Sequence, residues 1–206
     1  MPRDATSTRL RLIRAGERLF ARKGIDGALT RDLVAEAEQG NDSAVNYHFG
    51  SRDGLLLAVV DKHVRRMEER WKPALGGRDR AADIPAIVAE IVDPIAGQLC
   101  VDDGRDFVRI TAQLAGRAGI RTGYLSKAIA GTALSQWLGA LERACAEFLP
   151  RAIARERVAM MVTMLTATLA DRARRVDEGE RMTVGHKTFV ANLTAMLAAG
   201  VNAPSS

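Results

Sequence analysis

Apolar residues recur at three- and four-residue steps along almost the whole of the 206-residue chain, and this spacing constrains its fold most. In the first such segment the apolar positions are Leu12, Ile13, Leu19 and Phe20, and Gly24 ends the pattern. Positions three and four residues apart share one face of an α-helix, so each segment predicts an amphipathic helix. The composition agrees, because the chain has 34 Ala and only 4% aromatic residues, which strands favour. We therefore predict an all-α fold of about nine helices.

Glycine, proline and capping residues mark where the helices are expected to begin and end. The predicted helices span residues 8–23, 30–37, 41–49, 52–71, 83–101, 105–118, 124–148, 151–177 and 184–199. Thr30, Asn41 and Ser51 are the expected N-caps of the second, third and fourth helices. Pro94 is expected to kink the fifth, because proline removes a backbone donor. A domain boundary is expected near residue 50.

Charge and cysteine content narrow the class of protein without identifying its function. The net charge of +5 permits a nucleic-acid partner but does not require one. Cys100 and Cys145 predict no disulfide framework, and no Cys/His spacing resembles a zinc site, which fits a reducing cytoplasm. We expect no membrane span, since no apolar run reaches about 18 residues. No catalytic triad, phosphate loop or GxGxxG motif occurs, so we expect no enzyme, cofactor or metal.

Residues 30–49 form a helix, a short turn and a second helix, which is the spacing of a helix-turn-helix. Many helical proteins share such spacing, so the side chains decide the interpretation. The second helix offers Ala44, Val45 and Phe49 to the core. Its other side chains are small or hydrogen-bonding groups that suit base edges and phosphates: Asp42, Ser43, Asn46, Tyr47 and His48.

Residues 8–60 resemble the DNA-binding region of the TetR family of transcriptional regulators. The matching segments are LFARKG, TRDLVAEA and NYHFGSRDGLL, and the last is similar to the family's aromatic-His-Phe-x-Ser-Lys/Arg-x-x-Leu signature. The rest of the chain matches only as a pattern of helices. The resemblance implies a three-helix DNA-binding domain over residues 8–50. It also implies a ligand-binding and dimerisation bundle over residues 52–200, with the helix 52–71 as the link.

The resemblance also implies a set of DNA-contacting positions. They are Thr30, Arg31, Asp42, Ser43, Ala44, Asn46, Tyr47, His48 and Arg52. The first two begin the supporting helix and would touch phosphate, and the next four face the groove. Tyr47 and His48 match residues that contact or support the DNA backbone. Arg52 matches a phosphate-binding residue, and a guanidinium at a helix N-terminus is a good anion site.

Two departures from the family pattern leave alternatives open. The turn EQGN replaces the usual Ala-Gly-Val/Ile-Ser, so its glycine is displaced by one position. Asp42 stands where Lys, Arg or Ser is common. It either accepts from a cytosine amino group or only favours the helix N-terminus, and the second interpretation is the simpler. The leading hypothesis is a dimeric repressor released by a small molecule. The alternatives are an activator or ligand-independent DNA-binding protein of the same fold, and a helical interaction protein without DNA binding.

The C-terminal half is expected to hold the effector pocket and the dimer interface. The candidate pocket residues are His63, Met67, Trp71, Phe107, Leu114, Tyr124, Trp137 and Met164. For the first three, an ordinary core face is an equally good interpretation, and core packing is the default for Met164. In TetR-like proteins the last two long helices form a four-helix dimer interface. The corresponding residues here are Ala159, Met160, Thr163, Ala167, Ala170, Phe189, Leu193, Met196 and Leu197. A dimer suits a palindromic operator, with recognition helices about 34–36 Å apart.

Overall fold

The computed structural model of the chain describes residues 2–41, 43–74, 83–118 and 124–204. Within these ranges the chain is all-α with no strand, which confirms the predicted fold class. The helices are α1 (Pro2–Lys23), α2 (Thr30–Glu36), α3 (Ala44–Phe49), α4 (Arg52–Ala74), α5 (Ile84–Ala96), α6 (Asp102–Ala118), α7 (Tyr124–Ile129), α8 (Ala133–Cys145), α9 (Arg151–Asp177) and α10 (His186–Val201). None of these helices has both the length and the apolar character needed to cross a membrane.

Local signals explain where the helices differ from the predicted ones. The predicted helix over 124–148 is two helices, because Gly131 adopts a left-handed φ of +75° between α7 and α8. Thr132 then caps α8, and its hydroxyl oxygen accepts the backbone N–H of Ser135. The predicted helix over 83–101 tightens at its end into a single 3₁₀ turn. These breaks raise the helix count above the expected number.

The helices α1, α2 and α3 end within one residue of the prediction, but α1 begins at Pro2 instead of residue 8 and α3 begins at Ala44 instead of residue 41. Gly24 and Gly50 follow α1 and α3 with φ of +82° and +73°, the left-handed conformation common just after a helix. Ser51 caps α4 as expected, since its hydroxyl oxygen accepts a backbone N–H at 3.0 Å. Thr30 is not a cap, because α2 begins at Thr30 and Leu29 holds the N-cap position.

One continuous hydrophobic core runs through both halves of the chain. The helix α6 packs against α9 and also against α1, and α4 packs against α1, α3, α5, α7 and α8. The first helix of the N-terminal part therefore rests directly on the second part. The division into domains near residue 50 stays a prediction, and α4 is common to both sides of it.

Pro94 lies inside α5 and lacks the N–H that would bond the carbonyl oxygen of Glu90. That oxygen instead accepts the indole N–H of Trp71 at 3.0 Å. Trp71 belongs to α4 and is fully buried. The bond that proline removes from the helix is thus replaced by a bond between helices, and it ties α4 to α5.

Candidate nucleic-acid interface and apolar cavity

The short helix α3 keeps a free polar face. Within it only Val45 is fully buried, and this residue anchors the helix in the core. The predicted contact residues that keep exposed surface are Ser43, Ala44, Asn46, Tyr47 and His48. Tyr47 is 81% exposed, and its ring meets His48 edge-on with 4.9 Å between centroids. Asp42 lies outside the described residues.

The turn between α2 and α3 is built differently from the family pattern. Glu38 adopts a left-handed φ of +54°, a conformation in which glycine is favoured, whereas Gly40 does not. Asn41 is not the cap of α3, which begins three residues later. The side-chain oxygen of Asn41 instead accepts the backbone N–H of Ser43 at 2.9 Å, which closes a local turn. The displaced glycine therefore still permits a helix-turn-helix.

The start of α2 presents an exposed positive charge. The side chain of Arg31 is 76% exposed, and its contact with Asp32 is a loose one of 3.8 Å. Asp32 is instead held by Lys23 of α1 at 2.9 Å. The guanidinium of Arg31 is thus exposed and only loosely held, and the phosphate contact that the resemblance implies stays a prediction.

Arg52 has partners within the protein that its predicted phosphate role did not anticipate. Its Nε donates to the carbonyl oxygen of Ala28 at 2.9 Å, and its guanidinium lies over the ring of Phe20, 5.6 Å from the centroid. Only 26% of the side chain is exposed. Arg52 therefore holds the segment before α2 against α4, and only part of its guanidinium can still meet a phosphate.

A cluster of buried and half-buried polar residues, here called the polar junction, joins α1, α4 and the start of α6. His63 is fully buried, with Nε2 2.8 Å from Oε1 of Glu17 and Nδ1 3.3 Å from Oε1 of Gln98. Lys62 donates to Glu17 at 2.6 Å and to Asp103 at 2.9 Å. Because Glu17 lies on α1, the junction ties the first helix to the second half of the chain.

The charges of the polar junction are paired internally. Burial acts to raise the pKa of the Asp103 carboxyl, but hydrogen bonds from Arg66 and Lys62 hold that pKa well below its ordinary value. Glu17, His63 and Asp103 offer ligand atoms within 4.8 Å of one another, a spacing compatible with a metal ion. However, the ammonium of Lys62 already bonds both carboxylates. The cluster is therefore built as an ion-pair network.

A second tie between the two halves comes from Gln113 of α6. Its Oε1 accepts the backbone N–H of Ile25 at 2.8 Å, and its Nε2 donates to the carbonyl oxygen of Phe20 at 3.1 Å. Sequence reasoning missed both Gln113 and Glu17. Their partners lie 88 and 46 positions away, and no local pattern marks a pairing at such separations.

An apolar cavity of about 40 Å³ lies among α4, α5, α6, α7, α8 and α9. It is lined by Val64, Met67, Ile91, Ile95, Phe107, Thr111, Ile129, Leu134, Leu138, Val162, Leu165 and Thr166. Of the predicted pocket residues, Met67 and Phe107 line it. The hydroxyls of Thr111 and Thr166 each donate to a carbonyl oxygen of their own helix at 2.9 Å.

The other predicted pocket residues do not line this cavity. His63 belongs to the polar junction and stacks on Phe107. Three are buried in the core outside the lining: Trp71, Leu114 and Trp137. Met164 is 42% exposed on the outer face of α9. Tyr124 lies outside the residues whose side chains are described. A buried helical face is common to core and cavity, so periodicity could not separate the two.

The outer faces of α9 and α10 carry exposed apolar side chains. Met160, Met164 and Met196 are 65%, 42% and 51% exposed. Thr163 and Ala167 are exposed on the same face of α9 as the first two, at helical spacing. These exposed side chains, apolar except for the hydroxyl of Thr163 and here called the apolar strip, are not covered by the protomer itself.

The remaining interface candidates are placed differently. Leu193 and Leu197 are 3% and 2% exposed and belong to the core of the protomer, so they offer no surface to a second chain. Phe189 is half-buried beneath the guanidinium of Arg172, which lies 4.1 Å from its ring centroid. Two further candidates are also half-buried: Ala159 and Ala170.

Comparison with known proteins agrees with this geometry. Residues 12–59 match the family model described as bacterial regulatory proteins, tetR family. No curated protein sequence matches the chain. Two similar solved structures are regulators named FadR. The fatty acid degradation regulator from Bacillus halodurans is 14% identical with a TM-score of 0.61, and the match covers 95% of this chain and 96% of that chain. The transcriptional regulator from Bacillus subtilis, in complex with stearoyl-CoA, is 13% identical with a TM-score of 0.59, covering 93% and 98%.

A third similar structure is a protein from Shewanella sp. PV-4 assigned to the tetR family of transcription regulators. It is 12% identical with a TM-score of 0.61, and the match covers 92% of this chain and 95% of that chain. The family match includes the helix-turn-helix, and the similar structures span almost the whole chain. The chain therefore carries a tetR-family helix-turn-helix domain at its N-terminus within the fold of TetR-family regulators, which confirms the resemblance predicted from its sequence.

Proposed function

We propose that this protein is a dimeric transcriptional regulator that represses genes by binding operator DNA and is released by a small-molecule effector. The observation that carries the proposal is the free polar face of α3, where Tyr47 is 81% exposed while Val45 anchors the helix. A helix held in this way can enter the major groove with its N-terminal residues at base edges. Arg31, at the start of α2, supplies an exposed guanidinium that can meet a phosphate.

The apolar strip on α9 and α10 supports a dimer. Grouped exposed apolar side chains often mark contact with a partner, and Met160, Met164 and Met196 are flexible enough to pack against copies of themselves. A two-fold dimer pairs the same patch on both subunits. It would present two α3 helices to successive major grooves about 34–36 Å apart, so we propose a palindromic operator.

The cavity supports an effector that acts on DNA binding. Val64 and Met67 line it from α4, the helix that directly follows α3. A ligand that widens the cavity would therefore displace α4 and, with it, the recognition helix. The ligand must bind the two arrangements differently, and a coupling of about 1–3 kcal/mol makes a usable switch. The similar regulator in complex with stearoyl-CoA also favours a small-molecule effector here.

A gel shift of the full chain tests DNA binding. The probes are the DNA upstream of its own gene and a selected random library, at about 50 and 200 mM salt. We expect affinity to fall by about 10³–10⁵ between these salts if 6–10 phosphates are contacted. A chain that shifts neither probe at the lower salt would reject the proposal.

Matched variants test the surface. Tyr47→Ala should weaken binding, and Phe148→Ala, which removes an exposed aromatic ring elsewhere, should not. Arg31→Ala should lower the slope of log affinity against log salt by about one. Arg65→Ala is its control, because the two arginine side chains are each 76% exposed. If Tyr47→Ala and Phe148→Ala weakened DNA binding equally, α3 would not be the contact surface. If Arg31→Ala and Arg65→Ala lowered the salt dependence equally, α2 would not be part of it.

Two further measurements test the dimer and the direction of regulation. Met160→Lys combined with Met196→Lys should give a monomer in sedimentation analysis. Val101→Lys, at an apolar site 43% exposed elsewhere, should leave the dimer intact. Deleting the gene should raise transcription from the bound promoter if the protein is a repressor. A fall would favour an activator of the same fold.

A further inference from the structure

The chemistry of the cavity restricts what it can hold. We infer that the effector places an uncharged aliphatic group in the cavity, with at most one hydrogen-bond donor, directed at the hydroxyl oxygen of Thr111 or Thr166. The inference rests on the proposed function and names the ligand class for that same site.

The lining favours hydrocarbon. Among the residues that the structure describes, no charged side chain lines the cavity. The aliphatic lining residues Val64, Ile91 and Leu165 are each 1% exposed, so the walls lie deep in the core. An ionised group moved there would lose its hydration without gaining a counter-charge, which is strongly unfavourable. An aliphatic chain, in contrast, gains from leaving water.

The described side chains that line the cavity can accept a hydrogen bond from a ligand but have no free donor to offer it. The hydroxyls of Thr111 and Thr166 use their protons on carbonyl oxygens of their own helices, so only their lone pairs remain. Nearby donors are also engaged: the indole N–H groups of Trp71 and Trp137 bond main-chain carbonyls. A carboxylate or phosphate can only accept hydrogen bonds, and it would find no donor among these groups. A hydroxyl can donate to either threonine.

The size of the cavity links this ligand class to regulation. A volume of about 40 Å³ equals about three water-sized spaces of 10–15 Å³ each, and apolar cavities of this kind stay dry. An aliphatic ligand must therefore widen the cavity. Met67 can change shape because it is unbranched and has three rotatable bonds. Since Val64 and Met67 both belong to α4, a ligand that widens the cavity on this side would displace α4.

The test compares ligands that share one chain and differ in charge. The full wild-type protein is titrated by calorimetry at neutral pH with 1-octanol, octanoate and octylammonium. We expect 1-octanol to bind and to raise the melting temperature. Each ion should bind at least about a hundredfold more weakly, because its charge must be buried without a partner. Methyl octyl ether, which lacks a donor, should bind about fivefold more weakly than 1-octanol.

A pair of variants locates the binding. Leu138→Trp fills the cavity from its half-buried edge and should abolish 1-octanol binding. Leu10→Trp adds the same indole at a position 52% exposed on α1 and should not. If the first variant fails to fold, Thr166→Val replaces it as a near-isosteric change. This variant, alone or with Thr111→Val, should remove the advantage of 1-octanol over the ether.

The outcomes separate this inference from the proposed function. Octanoate binding as well as or better than 1-octanol, 1-octanol binding that survives Leu138→Trp, or no binding of any probe would each overturn the inference. None of these results bears on the gel shift. Conversely, selective 1-octanol binding by a chain that does not shift DNA would keep the inference about the cavity and reject the regulator.

Discussion

His63 and Phe107 stack face to face, with ring centroids 4.6 Å apart and planes 17° apart. Phe107 also lines the apolar cavity, whereas His63 does not. The Nε2 atom of His63 lies 2.8 Å from the carboxylate of Glu17 on α1. Two contacts, from Phe107 to His63 and from His63 to Glu17, thus connect the cavity wall to α1. These contacts can couple the cavity to α1 only if the three side chains move together. Substitution of His63 tests whether they do.

His63→Phe keeps an aromatic ring against Phe107 and removes the contact with Glu17. We expect a loss of about 1–3 kcal/mol in the free energy of unfolding, because a buried carboxylate loses a partner. Amide hydrogen exchange in α1 should also become faster, since α1 is held less tightly to α4. His63→Gln, which can still donate to Glu17, should restore part of the protection. Unchanged exchange in α1 of the His63→Phe protein would refute the role of this contact.

Asp103→Asn should make the protein less stable at neutral pH but reduce its sensitivity to acid. The pKa of the Asp103 carboxyl is lower in the folded chain than its ordinary value of 3.8, because Arg66 and Lys62 donate to it. Such a group stabilises the fold above the unfolded pKa, and the contribution is lost as the pH falls. The stability difference between wild type and variant should be full above about pH 5 and shrink below about pH 4.

We expect that difference to be about 1 kcal/mol, since the side chain is 33% exposed and water screens its ion pairs. Urea unfolding across the pH range measures it. Asp61→Asn is the control, because Asp61 pairs with Arg65 at a more exposed site. A stability difference between wild type and Asp103→Asn that stays constant down to pH ~3 would contradict the lowered pKa of Asp103.

Trp71→Phe should lower the free energy of unfolding by about 1–3 kcal/mol, because the carbonyl oxygen of Glu90 loses its indole donor inside the protein. Pro94→Ala supplies a backbone N–H four residues after Glu90. The same Trp71→Phe change should therefore cost less when Pro94→Ala is present. Chemical unfolding of both single variants and the double variant gives the coupling. If the changes in unfolding free energy of the two single variants simply added up in the double variant, the indole of Trp71 would not replace the bond that proline removes.

Glu38→Gly should stabilise the protein by about 1 kcal/mol. Glu38 holds a φ of +54°, where a side chain costs about 1–2 kcal/mol and glycine does not. Gln39→Gly is the matched control one position later, where φ is not positive, and there glycine should destabilise. Thermal unfolding of the two variants decides the sign. If Glu38→Gly destabilised the protein, the Glu38 side chain would stabilise the turn by more than its left-handed backbone conformation costs.

The local chemistry of the sequence is enough to predict several parts of this structure. Gly24 and Gly50 end helices because glycine tolerates the left-handed conformation that follows a last turn. The polar face of α3 is visible from its residue types, with Val45 as its buried anchor. These features depend on residues a few positions apart, so periodicity and capping report them directly.

Tertiary structure alone decided which buried side chains line a cavity and which polar ones pair. Met67 and Trp71 lie one turn apart on α4 and are both buried, yet one lines the cavity and the other bonds the carbonyl of Glu90. Leu193 and Leu197 face the protomer's own core, whereas Met196 on the same helix is exposed. Helical spacing identifies a face, but its partner comes from another helix far along the chain. Packing of those helices determines burial, pairing and empty space.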